Sequence, residues 1–207
     1  MQYYSQIGQD KTVLDYYKNK TDGYFVDIGA YDGVNISNTY AMEKLGWKGI
    51  CVEPIPDLFT KLKANRNCIL YNVAIDKDSD KILTFVDADY LSGDIERLNT
   101  ERCKYYNPNN TGLDNTIKVK TLNFTKMLDE SNAPNFIEFL SLDTEGSEYD
   151  ILCGLDFNKY KFGYISVEHN FLEPARSNIR TLLLQNGYVF KKENQFDDDY
   201  IYPVTAP

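Results

Sequence analysis

Two carboxylates and two glycines crowd the segment Asp27-Ile28-Gly29-Ala30-Tyr31-Asp32-Gly33, directly after the apolar run Tyr24-Phe25-Val26. Glycines tolerate positive φ and close approach of other groups, and carboxylates attract cations, so the loop suits a positively charged ligand lying against bare backbone. Twenty positions after Gly33, Glu53 closes the apolar run Gly49-Ile50-Cys51-Val52. A carboxylate at that place accepts hydrogen bonds from both hydroxyls of a ribose. Asp143, Glu145 and Glu148 surround Gly146 after the run Phe139-Leu140-Ser141-Leu142. Carboxylates so placed orient part of a ligand, coordinate a divalent cation, or stabilise the first turn of a helix through its dipole. His169, the sole histidine, follows Glu168 at the end of a further apolar run. An unperturbed pKa near about 6.5 suits it to act as a general base or a metal ligand.

These groups need a frame. Apolar runs alternate with helix-like periodicity, the pattern of a doubly wound α/β fold with a mostly parallel sheet. Strands are expected at 24–29, 49–53, 68–75, 136–142 and 163–168, with an accessory strand at 81–87 and a short one at 119–122. A helix carrying Val13, Leu14 and Tyr17 opens the chain, and another spans about 36 to 45 and ends at Gly46. Asp57 is expected to cap a helix bearing Leu58, Phe59 and Leu62; further helices run through Met127 and Leu128, and from Pro174 to Asn186-Gly187. The last segment, 188–204, reads as one or two strands around Asp197-Asp198-Asp199, a charge run expected to be a solvated turn. Residues 88–116 are polar, include Tyr105 and Tyr106, and are too long for a plain connection; a lid or substrate loop is expected there. Open parallel sheets bind ligands beyond the carboxyl ends of their strands, which would gather Asp27, Glu53, Ala74, Asp143 and His169 on one rim, with Ala74 and Ile75 flanking a flat base.

Glycine spacing separates two nucleoside ligands. A dinucleotide loop needs G-x-G-x-x-G to meet a diphosphate. Counting from Gly29, the second position holds Tyr31 and the third Val34. A diphosphate would meet a tyrosine and the charges of Asp27 and Asp32, whereas the ammonium and sulfonium of S-adenosylmethionine (SAM) suit those carboxylates. A nicotinamide oxidoreductase is disfavoured accordingly.

The chain resembles the FkbM-type SAM-dependent methyltransferases almost end to end. The blocks that carry the likeness are Ser5-Gln6-Ile7-Gly8-Gln9-Asp10, Val26 to Gly33 with Ser37-Asn38-Thr39, Trp47 to Pro54, Asn72-Val73-Ala74-Ile75, Leu140 to Glu148, and Ile165 to Asn170. The resemblance implies a Rossmann-like class I fold and methyl transfer, usually to oxygen, on sugars, glycans or other natural products. An N-methyltransferase and a SAM-binding module without catalysis are the alternatives. The expected cofactor set is Asp27, Gly29, Ala30, Asp32, Gly33, Asn38, Glu53, Pro54, Ala74 and Asp143. Catalysis is expected from His169 and Asp143, and a divalent metal, if bound, from Asp143, Glu145, Glu168 and His169. Gln6, Gln9 and Asp10 become candidates for the mouth of the cofactor or acceptor site.

The 207 residues fit one domain with room for a substantial core. A formal charge of −9 and the lack of a long basic run argue against a duplex-binding face. No apolar stretch approaches the ~20 residues that span a bilayer, so membrane insertion is not expected and the location expected is cytoplasmic. The expected partner is a small-molecule or glycan acceptor. Cys51, Cys68, Cys103 and Cys153 lie far apart, against zinc binding or a disulfide framework.

Overall fold

A computed structural model describes residues 1–87, 92–97 and 116–203. Most of the expected lid, including Tyr105, Tyr106 and Cys103, lies outside the described residues. The elements are α1 (Gln9–Tyr16), β1 (Tyr24–Ile28), α2 (Tyr40–Leu45), β2 (Lys48–Val52), α3 (Pro56–Asn65), β3 (Ile69–Tyr71), β4 (Ala74–Asp76), β5 (Ile82–Val86), β6 (Gly93–Asp94), β7 (Thr116–Asn123), α4 (Phe124–Glu130), β8 (Phe136–Leu142), α5 (Glu148–Cys153), β9 (Lys161–Glu168), α6 (Ala175–Gln185), β10 (Val189–Asn194) and β11 (Asp197–Ile201).

Seven strands form the main sheet in the order β10-β11-β9-β8-β1-β2-β3. β3, β2, β1, β8 and β9 run parallel, and β11 enters antiparallel to both β9 and β10. Side chains alternate across the sheet, and both faces are apolar because helices cover both. Val26, Ile28, Leu140, Leu142, Ile165 and Val167 pack with Phe124 and Leu128 of α4, Ile151 and Leu152 of α5, and Ile179 and Leu183 of α6. Phe25, Cys51, Phe139 and Tyr164 face the other way, onto Val13 and Leu14 of α1, Ala41 and Met42 of α2, and Leu62 of α3. Asp27 shares the parity of Phe25, so its carboxylate points to the α2 and α3 side. The same alternation pairs Asp27 with Cys51 and Ser141 in register.

Two expectations fail here. The run 68–75 is not one strand: β3 belongs to the main sheet, whereas β4 belongs to a second sheet ordered β4-β7-β5-β6. The break falls at Asn72-Val73, where the Asn72 amide donates to the carbonyls of Glu53 (2.8 Å) and Pro54 (3.0 Å). Periodicity sees an unbroken apolar run and has no means of showing which neighbour each half pairs with. Asp57 is not a cap either. Ile55 occupies that position and Pro56 opens α3, where the missing N–H costs nothing. Gly46 does end α2, in the left-handed conformation with φ 109°.

The described part of the polar segment is pinned rather than loose. Arg97, after β6, bridges Asp76 (2.9 Å), Asp94 (3.2 Å) and Asp150 (3.0 Å), tying the small sheet to α5. No helix among the described residues is long and apolar enough to cross a membrane.

Candidate active site

One cleft opens beyond the carboxyl ends of β1, β2 and β8, roofed on one side by the small sheet. Asp27, Gly29, Ala30, Asn38, Glu53, Pro54, Ala74 and Asp143 line it, and so do residues the sequence reading missed: Leu58, Leu83, Phe85 and Ser92. Leu83 and Phe85 could not be found by strand-end logic, because they come from the second sheet, whose docking no local pattern specifies.

The glycine loop is shaped from behind. The Gly29 and Ala30 amides donate to the Val52 carbonyl (3.1 and 3.0 Å), bending the chain across the end of β2. Gly29 has φ 92°, and a Cβ there would collide with the carbonyl oxygen of Asp143. Its bareness therefore lets the end of β8 close on the loop, while Gly29 also lines the cleft, where its backbone lies open to a ligand. Gly33, φ 82°, is likewise pressed against α3, where a Cβ would lie 2.6 Å from Leu62 Cδ1 and 2.8 Å from Arg66 Cγ. Asp32 turns inward: its Oδ1 accepts from the amides of Val34 (2.9 Å) and Asn35 (2.8 Å), and Oδ2 from the Asn35 side chain (2.6 Å). Short acidic side chains bond the amides two and three residues on before they reach a ligand. Asp32 and Gly33 thus hold the loop and do not line the cleft.

Asp27 does line it. Oδ2 accepts from the Thr39 hydroxyl at 2.6 Å. Burial raises the Asp27 pKa, opposed by the Thr39 hydrogen bond, the charge of Arg66 and the hydroxyl of Ser141. Asn38 donates to Ser141 Oγ (2.9 Å), and its buried Oδ1 has no hydrogen-bond partner among the described residues. A buried acceptor left open beside a cleft costs free energy until a donor arrives.

Glu53 is held by two backbone amides: Ile55 donates to Oε1 (2.8 Å) and Tyr31 to Oε2 (3.1 Å). Each oxygen keeps a second lone pair for a hydroxyl donor. Burial pushes its pKa up to about 8 despite those amides. Next to it, Ile55, Leu58, Ala74, Phe85 and Val119 form a separate apolar cluster with Tyr31 and Leu83 at its edge. The result is a carboxylate beside a slot fit for a flat ring.

At the far end, oxygens of Asp143, Glu145 and Glu168 lie within 4.8 Å of one another. Asp143 and Glu145 line the cleft. Glu148 does not join them: its carboxylate accepts from Thr144 N (2.9 Å), Thr144 Oγ1 (3.0 Å) and Gly146 N (3.1 Å), closing the loop before α5. Three such oxygens are hard donors of the kind magnesium or calcium takes, about half a coordination shell. His169 is absent from that group, which corrects the expected four-residue metal set.

His169 is also absent from the cleft wall. Its backbone amide still pairs with Phe196 O (2.8 Å), so the chain has not left the sheet. The ring turns away from the cleft: Nδ1 accepts from Phe171 N (2.9 Å) and Nε2 faces Asp198 Oδ1 at 3.4 Å. The expectation of a base on the rim gives way to a buried contact.

Asp198 belongs to the aspartate run, which is not the solvated turn expected. Asp197, Asp198 and Asp199 are 3, 1 and 2% exposed, in β11 between β9 and β10. Each has local donors: Gln9 (3.0 Å) and Ser166 (3.1 Å) for Asp197, Arg176 and Arg180 for Asp198, Tyr164 (2.6 Å) for Asp199. Burial, then the charge of Asp143, pushes the Asp197 pKa up to about 7. Burial disfavours the charge of Asp198 too, yet the nearby His169 ring and hydrogen bonds from Arg176 and Arg180 win and hold it below the usual carboxylate range. Gln9 and Asp10 serve the frame rather than the cleft mouth, since Asp10 accepts from Tyr4 N (2.6 Å) and Ser5 Oγ (2.6 Å).

The sequence profile described as "Methyltransferase FkbM domain" matches residues 27–190. Among curated proteins, none matches the sequence. Two solved structures share the fold. One is described as "a putative RNA methyltransferase" from Pyrococcus horikoshii, with TM-score 0.51 and 9% identity over 97% of this chain and 83% of that one. The other is a precorrin-6y C5,15-methyltransferase from Geobacter metallireducens, with TM-score 0.50 and 14% identity over 93% of this chain and 84% of that one.

Proposed function

The chain belongs to the FkbM methyltransferase family, a SAM-dependent class, and on that premise we propose that it methylates a hydroxyl group of a sugar, glycan or other natural product. What supports the cofactor end of this reading is Glu53, a buried carboxylate fixed by two amides beside an apolar slot. Glu53 would accept the ribose hydroxyls on its free lone pairs, and Leu58, Ala74 and Phe85 would hold the adenine. Asp27 and the Oδ1 of Asn38 would receive the ammonium end.

Bound SAM supplies an electrophilic methyl on a sulfonium sulfur. Asp143 lines the cleft, and in this reading its carboxylate takes the proton of the acceptor hydroxyl as the oxygen is alkylated. Orientation of the two reactants supplies most of the rate, on the order of 7–11 kcal/mol for well-placed groups. The carboxylates of Asp143, Glu145 and Glu168 would hold a divalent cation if one is used.

Incubation with methyl-labelled SAM and fractionated sugars, glycans and small metabolites tests the reading. Label is expected on oxygen, and Asp143→Asn is expected to lower transfer by about 100-fold or more while leaving the affinity for S-adenosylhomocysteine (SAH) within about fivefold. Label on nitrogen, or full activity in the Asp143 variant, contradicts it.

A further inference from the structure

Behind the cofactor loop sits a cation that neither the sequence motifs nor the cleft wall include. Arg66 follows α3, and its side chain is fully buried. Arginine is almost never found in a core unless its donors are occupied. Here Nη1 donates to Gly33 O (3.2 Å) and Ser37 Oγ (3.4 Å), Nη2 to Thr39 Oγ1 (3.0 Å), and Nε to the Glu43 carboxylate. The guanidinium lies over the rings of Phe25 (5.3 Å) and Tyr40 (5.6 Å). Thr39 passes the contact on, donating to Asp27 Oδ2 at 2.6 Å.

The fork therefore gathers both ends of the loop 33–39 onto one rigid group. Of the cleft-lining residues, Ser37 is bonded to it directly and Asp27 is reached through Thr39. We propose that Arg66 is a positioning residue for the cofactor: it clamps the loop to α3 and, through Thr39, fixes the Asp27 carboxylate toward the cationic end of SAM. The inference rests on the cofactor reading of the cleft given above. A lysine would keep the charge but lose the planar fork that meets four acceptors at once.

The clamp also has an electrostatic consequence. Asp27 is faced by Thr39 and Arg66 from the loop and α3, by Ser141 from β8, by Cys51 from β2 and by Glu53 from beyond the end of β2. Arg66 is the one cation among these groups. Without it, burial holds the Asp27 proton to higher pH, so binding that needs the carboxylate is lost at higher pH as acid is added.

Calorimetric titration with SAH from pH 6 to 8.5, well below the unfolding temperature, tests this on the intact chain. Arg66→Met is expected to weaken SAH about tenfold or more and to move the acid-side loss of affinity to higher pH. Arg66→Lys, which keeps the charge, is expected to recover the pH profile but to stay about threefold or more weaker than the parent. Leu183→Ala, a core truncation in α6, controls for general destabilisation and should bind within about twofold. If Arg66→Met does not fold, the lysine variant decides. A folded Arg66 variant with parental affinity and pH profile overturns the proposal, whereas a parent protein that fails to bind SAH overturns the cofactor reading instead.

Discussion

Glu53 is buried, and its proposed role of accepting two ribose hydroxyls requires it to be ionised. Its folded pKa of about 8 stands above the ordinary 4.5, so its contribution to stability is complete below about 4.5 and is lost as pH rises through about 8. Asp197, raised to about 7, acts in the same direction. Ribose hydroxyls favour the charged form, so binding at pH 7 should release close to one proton, ~0.9 for a group of that pKa. Comparing calorimetric heats of SAH binding in buffers of different ionisation enthalpy reads that number. Glu53→Gln should release none and bind about 10- to 100-fold more weakly; equal proton release in the variant would assign the proton elsewhere. A second residue separates chemistry from scaffolding. His169→Gln should keep SAH affinity and label transfer within about threefold, because the ring contacts Asp198 and the Phe171 amide, not the cleft. A loss of about 100-fold would return the imidazole to the reaction. Glu53 and Asp143 were legible because a strand-end carboxylate announces its place by position alone. The direction in which His169 points was not, since it depends on a strand that comes 28 residues later.

That strand shows what holds the active-site frame at the level of elements. β11 carries three consecutive aspartates through the interior and meets a prepared donor at each, which is why a charge run that reads as solvent-exposed is not. Asp198 gathers His169 and two arginines from α6, joining the end of β9 to the helix that covers it. Removing it takes the buried carboxylate from both arginines, though Arg176 keeps Glu193; with both arginines partly exposed, Asp198→Asn should cost about 2–3 kcal/mol by denaturant titration at pH 7. Because the folded pKa of Asp198 is depressed, its stabilisation is present above the ordinary 3.8 and lost as pH falls further, so the variant should show a flatter acid limb. A variant as stable as the parent would mean the network is decorative. The small sheet makes a separate demand. Phe85 reaches the cleft from β5, and Phe85→Leu should weaken SAH about fivefold or more if the base lies against it. The accessory strand at 81–87 was visible from its alternation, but its place on the cleft was not, because the division of 68–75 between two sheets is a tertiary choice.

Across the whole molecule, the doubly wound plan follows from period-two burial on both faces of β1, β8 and β9, and this much any reader of the apolar runs recovers. The crossover at β1 then places one cleft where carboxylates line both ends and no row of glycine amides waits for a diphosphate. That arrangement prefers a nucleoside carrying an ammonium group to a dinucleotide. Its most direct test is a paired titration of the intact protein with SAH and with NAD under the same conditions. One equivalent of SAH should bind with micromolar or tighter affinity, about −8 kcal/mol, while NAD at millimolar concentration gives no heat. Binding of NAD, or silence from SAH at millimolar concentration in folded protein, would contradict it.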